Sequence, residues 1–181
     1  MINVAVFILG SVINILISRK SLRQPGSHGY YRFFAWEVML ALAILNIPVW
    51  FKDPFSAFQI IAWTLLMISL VMLGFGLKLV SAGKPDNKRQ DEALLGFEKT
   101  SVLVTTGIYG YIRHPLYSSL LFLAWGIFFK DVNGYTLMLV LAATAFLMAT
   151  AKADEKECLA HFGPAYQEYM KKTKMFVPFV Y

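Results

Sequence analysis

The stretch Leu103–Ser118, LVTTGIYGYIRHPLYS, sets a Gly turn, three tyrosines and an Arg113-His114-Pro115 step against an apolar run that continues to Phe129. Pro115 has no backbone N–H and a fixed φ, so it suits the first turn of a helix. Arg113 and His114 then stand at a helix N-terminus, where partial positive charge and open N–H groups favour the carboxylate or phosphate end of a ligand. Tyr, Arg and His also mark the boundary between lipid and water, so an interfacial belt is the alternative reading.

The chain around this stretch is 57% hydrophobic and 15% charged, with a mean hydropathy of +0.56, far more apolar than a soluble domain of 181 residues. It reads as an all-α integral membrane bundle, one domain over residues 1–181. Apolar runs predict five spans at residues 4–17, 33–51, 58–80, 115–129 and 135–151. The fourth falls short of the roughly 20 residues that cross about 30 Å of hydrocarbon, so it starts in the interface or the bilayer thins around it. The first lacks a basic leader and is followed by Arg19 and Lys20, which favours a retained helix over a signal peptide. Gly74 and Gly76 are expected to permit close helix packing.

Basic residues orient the bundle. With five spans and the N-terminus outside, Lys52 and Lys130 are the outer cations and the other 15 of the 17 Lys and Arg face inward. This puts the motif loop and a C-terminal amphipathic helix in the cytoplasm. The net charge of +6 then needs anionic lipid headgroups as partners and no nucleic acid. One cysteine, Cys158, excludes an internal disulfide and reads as packing, and three scattered histidines show no zinc-ligand spacing.

Two connections are longer than turns. Residues 81–98 pass through GKPDNKRQDE, a solvated loop that delivers the chain to the motif. After the fifth span, Glu155, Leu159, Phe162 and Tyr166 fall at helical spacing; Gly163 ends that helix and Pro164 starts a short one carrying Tyr166 and Tyr169.

The segment LVTTGIYGYIRHPLY, followed by Asp154-Glu155, Phe162-Gly163, Tyr166, Tyr169 and Pro178, resembles the isoprenylcysteine carboxyl methyltransferase and phospholipid N-methyltransferase group of membrane enzymes. The resemblance covers the C-terminal half of the chain. It implies S-adenosylmethionine as cofactor, held by residues 101–117 and 150–169, and a small lipophilic acceptor arriving from the bilayer. It assigns Val102, Leu103 and Val104 to backbone and apolar cofactor contacts and Tyr109 to the nucleoside. His114, Pro115, Leu116 and Tyr117 become the wall around the methionine part, and Asp154 and Glu155 the acidic pair of the cofactor site. An acidic first turn of a helix is the other reading of that pair.

The chain departs from the carboxyl methyltransferases at Thr150, where they carry an arginine that steadies the substrate. Lys152 lies on nearly the opposite helix face and is a poor substitute. Asp154 is shorter than the usual Glu, and the loop before Leu103 lacks the usual Gly and aromatic pattern. Prenylcysteine is weakened as acceptor more than the cofactor is, unless another cation such as Arg113 takes the arginine's role, and Thr150→Arg is expected to recover an anionic acceptor if the rest of the pocket is compatible. Arg113 and Glu37, an acid one turn into the second span, are the candidate substrate contacts; pairing with Arg32 or snorkelling is the other reading of Glu37. A carboxylate or thiolate acceptor needs no proton removed, whereas an amine or hydroxyl does, and no general base is assigned. A phospholipid N-methyltransferase, a sterol-reductase-like NADPH enzyme and a non-catalytic membrane subunit remain alternatives, and the sequence leaves the oligomeric state open.

The orientation is testable by thiol labelling in a Cys158→Ser background. A cysteine at Lys52 is expected to react from outside intact cells, and one at Lys152 only after permeabilisation; the reverse pattern overturns the topology.

Overall fold

The computed structural model describes residues 2–82 and 102–177. Most of the expected 81–98 connection, together with Ser101 and Pro178, lies outside the described residues. Within them the chain forms six α-helices: α1 Ile2–Ser18, α2 His28–Asn46, α3 Ala57–Ser81, α4 Pro115–Phe128, α5 Gly134–Phe162 and α6 Pro164–Lys172. Neighbours run α1 on α2, α2 on α5, α5 on α4 and α4 on α3. Residues 28–49, α3 and α5 are long and apolar enough to cross a membrane, while α1 and α4 are shorter apolar helices. The 14 residues of α4 span roughly 21 Å, less than a bilayer core.

The core follows helical periodicity. Ala35, Met39 and Leu42 of α2 meet Val140, Ala143 and Leu147 of α5, and Leu66 of α3 and Ala124, Ile127 and Phe128 of α4 complete the cluster. Faces of α1 and α3 carrying Ile8, Leu9, Leu16, Leu70 and Phe75 are exposed, as lipid-facing surfaces require. α1 is tied on by polar groups at helical spacing: Ser11 and Asn14 each donate to Glu37 at 2.7 Å, and Asn14 also donates to the Phe33 carbonyl. Glu37 thus makes its hydrogen bonds to α1 and not to Arg32, which lies over the Trp36 ring.

Helix ends differ from the apolar runs for local reasons. α2 begins at His28, five residues before the expected span, because the Ser27 hydroxyl caps it by accepting from the Tyr30 N–H. It ends at Asn46 because Pro48 cannot supply the N–H that would extend it. Asn133 and Thr136 form a reciprocal cap at α5. That helix continues without a break past residue 151 to Phe162, so Asp154 and Glu155 lie some five turns inside it and serve no helix N-terminus. Gly163, at φ 57°, closes α5 and Pro164 opens α6, as the sequence indicates. Of the two α3 glycines, Gly76 has the close approach: a Cβ there would meet Leu116 at 2.8 Å. Gly74 faces open space.

At the far end of the bundle Lys130 is withdrawn from solvent. It donates to Gln59 Oε1 at 2.8 Å and lies 3.5 Å from the Trp63 ring centroid and 5.2 Å from that of Trp50. Burial pulls its pKa below the ordinary 10.5. Lys130→Met keeps the length and removes both interactions, so unfolding free energy should fall by about 1–3 kcal/mol in detergent. Thermal unfolding of the purified variant checks this.

Candidate functional site

The last turn of α3 and the second half of α5 stand either side of the first turn of α4, with α6 alongside. Between them lies a cleft of about 110 Å³. Its wall includes Leu103, Val104, Tyr109, Arg113, His114, Pro115, Leu116, Tyr117 and Asp154, so nine of the residues expected from the sequence converge here from three elements. Val102 is exposed outside the wall. Glu155 is buried just behind it, and Glu37 belongs to the α1–α2 contact.

Local backbone geometry presents the motif. Thr106 leads into a 3-10 turn over Gly107–Gly110, and Gly107, at φ 59°, lies so close to Leu79 that a Cβ would sit 2.7 Å from its methyl. The turn buries Tyr109 against α3, its hydroxyl 3.5 Å from the Gly76 carbonyl. Tyr169 of α6 donates to the Tyr109 carbonyl at 2.7 Å.

The open N–H groups expected at the α4 N-terminus are partly taken. The C-terminal segment runs parallel to the motif, bridging Ile112 and Lys174, so Arg113 N–H donates to the Lys174 carbonyl at 2.7 Å and His114 N–H to that of Met175 at 3.2 Å. Ser118 Oγ donates to the Phe176 carbonyl, and Met175 and Phe176 pack with Tyr117 and Ala151. Those two donors are satisfied by the protein's own tail, because buried backbone groups take the nearest carbonyls.

Charge in the cleft is organised around α5. The Arg113 Nε donates to Glu155 at 2.7 Å, and its Nη1 donates to the Met170 and Thr173 carbonyls. His114, 5% exposed, presents Nδ1 to Asp154 at 3.4 Å and Nε2 to Glu155 at 3.5 Å, and Nε2 completes no hydrogen bond. The ring stacks on Tyr117. Burial disfavours the imidazolium, but the two carboxylates outweigh it and hold the His114 pKa above its ordinary 6.5. Burial keeps the Tyr166 and Tyr169 phenols protonated.

Thr150 is fully buried and its hydroxyl donates to the Phe146 carbonyl at 2.7 Å. The compatible pocket on which a gain from Thr150→Arg depends is not found around Thr150, because a guanidinium there would be forced into the packed bundle. Cys158, expected to be packing, lines the cleft with Sγ 3.6 Å from Asp154 Oδ1. Val80, Phe162, Tyr166 and Tyr169 complete the wall; the two tyrosines were legible as one face of a short helix, but not as cleft residues. His28 and Glu157 had no local signal at all. They pair across 129 residues at 2.5 Å, and with Asp154 they offer three ligand atoms within 4.8 Å that could hold a metal ion, although the pairing already engages two of them.

A helical membrane bundle with a mixed polar and apolar cleft at one end is the class these features define. The chain belongs to the phospholipid methyltransferase family, whose pattern matches residues 64–164, more than half of its length. It is 28% identical to Methanethiol S-methyltransferase 2 of Bradyrhizobium diazoefficiens over 78% of this chain and 58% of that protein. It is 32% identical to Protein-S-isoprenylcysteine O-methyltransferase of Schizosaccharomyces pombe over 45% of this chain and 35% of that protein. A third relative, Delta(14)-sterol reductase TM7SF2 of Mus musculus, is 34% identical over 44% of this chain and 20% of its own. The chain thus covers less than two thirds of each of these relatives. No solved structure matches it.

A folded-state pKa raised above 6.5 means that the His114 contribution to stability is complete below pH 6.5 and is lost as pH rises through the raised value. The difference in unfolding temperature between wild type and His114→Gln should therefore shrink from pH 6 towards pH 9. A difference independent of pH would show that His114 is not held charged.

Proposed function

We propose that the protein transfers a methyl group from S-adenosylmethionine to a small, uncharged or thiol-bearing lipophilic acceptor. The observation that carries this reading is the cleft: the Asp154 carboxylate and the His114 imidazole line one space whose other walls include Leu103, Val104, Pro115 and four tyrosines. These residues fit the cofactor's chemistry. A carboxylate suits its α-amine or ribose hydroxyls, a charged imidazole suits its carboxylate, and apolar and aromatic faces suit adenine. Bound there, the cofactor supplies an electrophilic methyl carbon on a sulfonium. The chain supplies alignment and exclusion of water. A thiolate acceptor needs no proton removed, and no side chain is assigned as general base.

The acceptor reading rests on where the cations are. Arg113 is the one Lys or Arg among the described residues of the wall, and it is committed to Glu155 and two carbonyls. With Thr150 buried, no second Lys or Arg among the described residues of the wall is there for a substrate carboxylate. This favours an acceptor like that named for the methanethiol relatives over a prenylcysteine. It also disfavours the nicotinamide reading that the sterol reductase relative keeps open, because a dinucleotide's phosphates need cations. Arg19, Lys20, Arg23, Lys152, Lys156, Lys171, Lys172 and Lys174 are exposed on the elements at the cleft's end, whereas Lys130 is buried in its tryptophan cage. That distribution supports a cytoplasmic cleft and an N-terminus outside.

Calorimetric titration with S-adenosylhomocysteine and with NADPH separates the readings: the former should bind and the latter should not. Asp154→Asn should raise the Kd for S-adenosylhomocysteine about tenfold or more, as expected for a charge-assisted hydrogen bond of about 1.5–3 kcal/mol. In a labelled-methyl assay, methanethiol should be methylated and a farnesylated cysteine analogue should be a poor acceptor. NADPH binding without S-adenosylhomocysteine binding overturns the assignment, and efficient turnover of the prenylcysteine overturns the acceptor class.

A further inference from the structure

We infer that His28 and Glu157, outside the cleft, are positioning residues that set the rotation of α5 so that Asp154 faces the cofactor. His28 is the first residue of α2, fully buried, and lies outside the residues matched by the family. The Glu157 carboxylate meets it twice, accepting from the His28 backbone N–H at 2.9 Å and facing its Nδ1 at 2.5 Å. An α5 carboxylate thereby caps the α2 N-terminus, where an anion is favoured. The same imidazole lies within 4.8 Å of the Asp154 carboxylate.

Helical geometry makes this contact a rotational constraint. At about 100° per residue, Glu155 projects about 100° to one side of Asp154 and Glu157 about 60° to the other. Glu155 is held from the α4 side by Arg113 at 2.7 Å, and Glu157 is held from the α2 side by His28. The two clamps straddle Asp154, so turning α5 either way breaks one of them. The inference rests on the proposed role of Asp154 in cofactor binding.

The test uses the full chain in detergent, with calorimetric Kd for S-adenosylhomocysteine and steady-state kinetics in the methyl donor. Glu157→Ala and His28→Ala should raise Kd and the donor KM about tenfold while kcat at saturating donor stays within about threefold. His28→Asn, whose amide can replace the Nδ1 donor, should restore Kd to within about threefold of wild type. In an Asp154→Asn background, Glu157→Ala should add less than a twofold further loss, because the residue it positions is already gone. Additive losses in that background, or no rescue by His28→Asn, would overturn the inference in favour of a purely structural pair. Failure of the wild type to bind S-adenosylhomocysteine would instead overturn the cofactor assignment.

Discussion

Three carboxylates within four residues of α5, Asp154, Glu155 and Glu157, dominate the organisation of this protein. They project from the second half of a helix whose first half is apolar, and where they meet the neighbouring helix ends each needs a cation or donors close by. The rest of the site is the answer to that demand. Arg113 and His114 come from the start of α4 and His28 from the start of α2; the two histidines are buried and Arg113 is half-buried. Burial raises the cost of leaving any of these charges unpaired, so the pairs dictate how the helix ends meet.

The shortness of α4 follows from the same arrangement. A full-length helix would run through the space that the cleft occupies; Pro115 starts it late, and the residues before it fold as a turn whose backbone pairs with the C-terminal segment. That segment satisfies the N–H groups of Arg113 and His114 and accepts from the Arg113 guanidinium through Met170 and Thr173. The tail is thus part of the site's scaffold. The opposite end of the bundle is closed in another way, by a lysine held among tryptophans and Gln59, which removes its charge from the surface.

Much of this was readable from residue order. Apolar runs located the helices, Pro115 and Gly163-Pro164 located breaks, and the resemblance of LVTTGIYGYIRHPLY with Asp154-Glu155 picked out residues that mostly converge on one cleft. These features are local: a proline removes an N–H wherever it sits, and a helix shows its faces through spacing alone. The same locality explains the misreadings. The cap at Ser27 and the break at Pro48 moved α2 relative to its apolar run, and the continuity of α5 through residue 151 depends on helical propensity outlasting hydrophobicity.

What the sequence determined by itself is the class of molecule, its helices and the chemical repertoire of one motif, because composition, periodicity and breakers act within a few residues. Only the tertiary structure decided which partners those residues take. Arg113 is spent on Glu155 and backbone carbonyls, Thr150 turns into the core, Cys158 reaches the cleft, and His28 finds Glu157 across 129 residues. Those outcomes depend on distances between helix ends, and the packing of α2, α4 and α5 sets those distances, leaving no trace in the spacing along the chain.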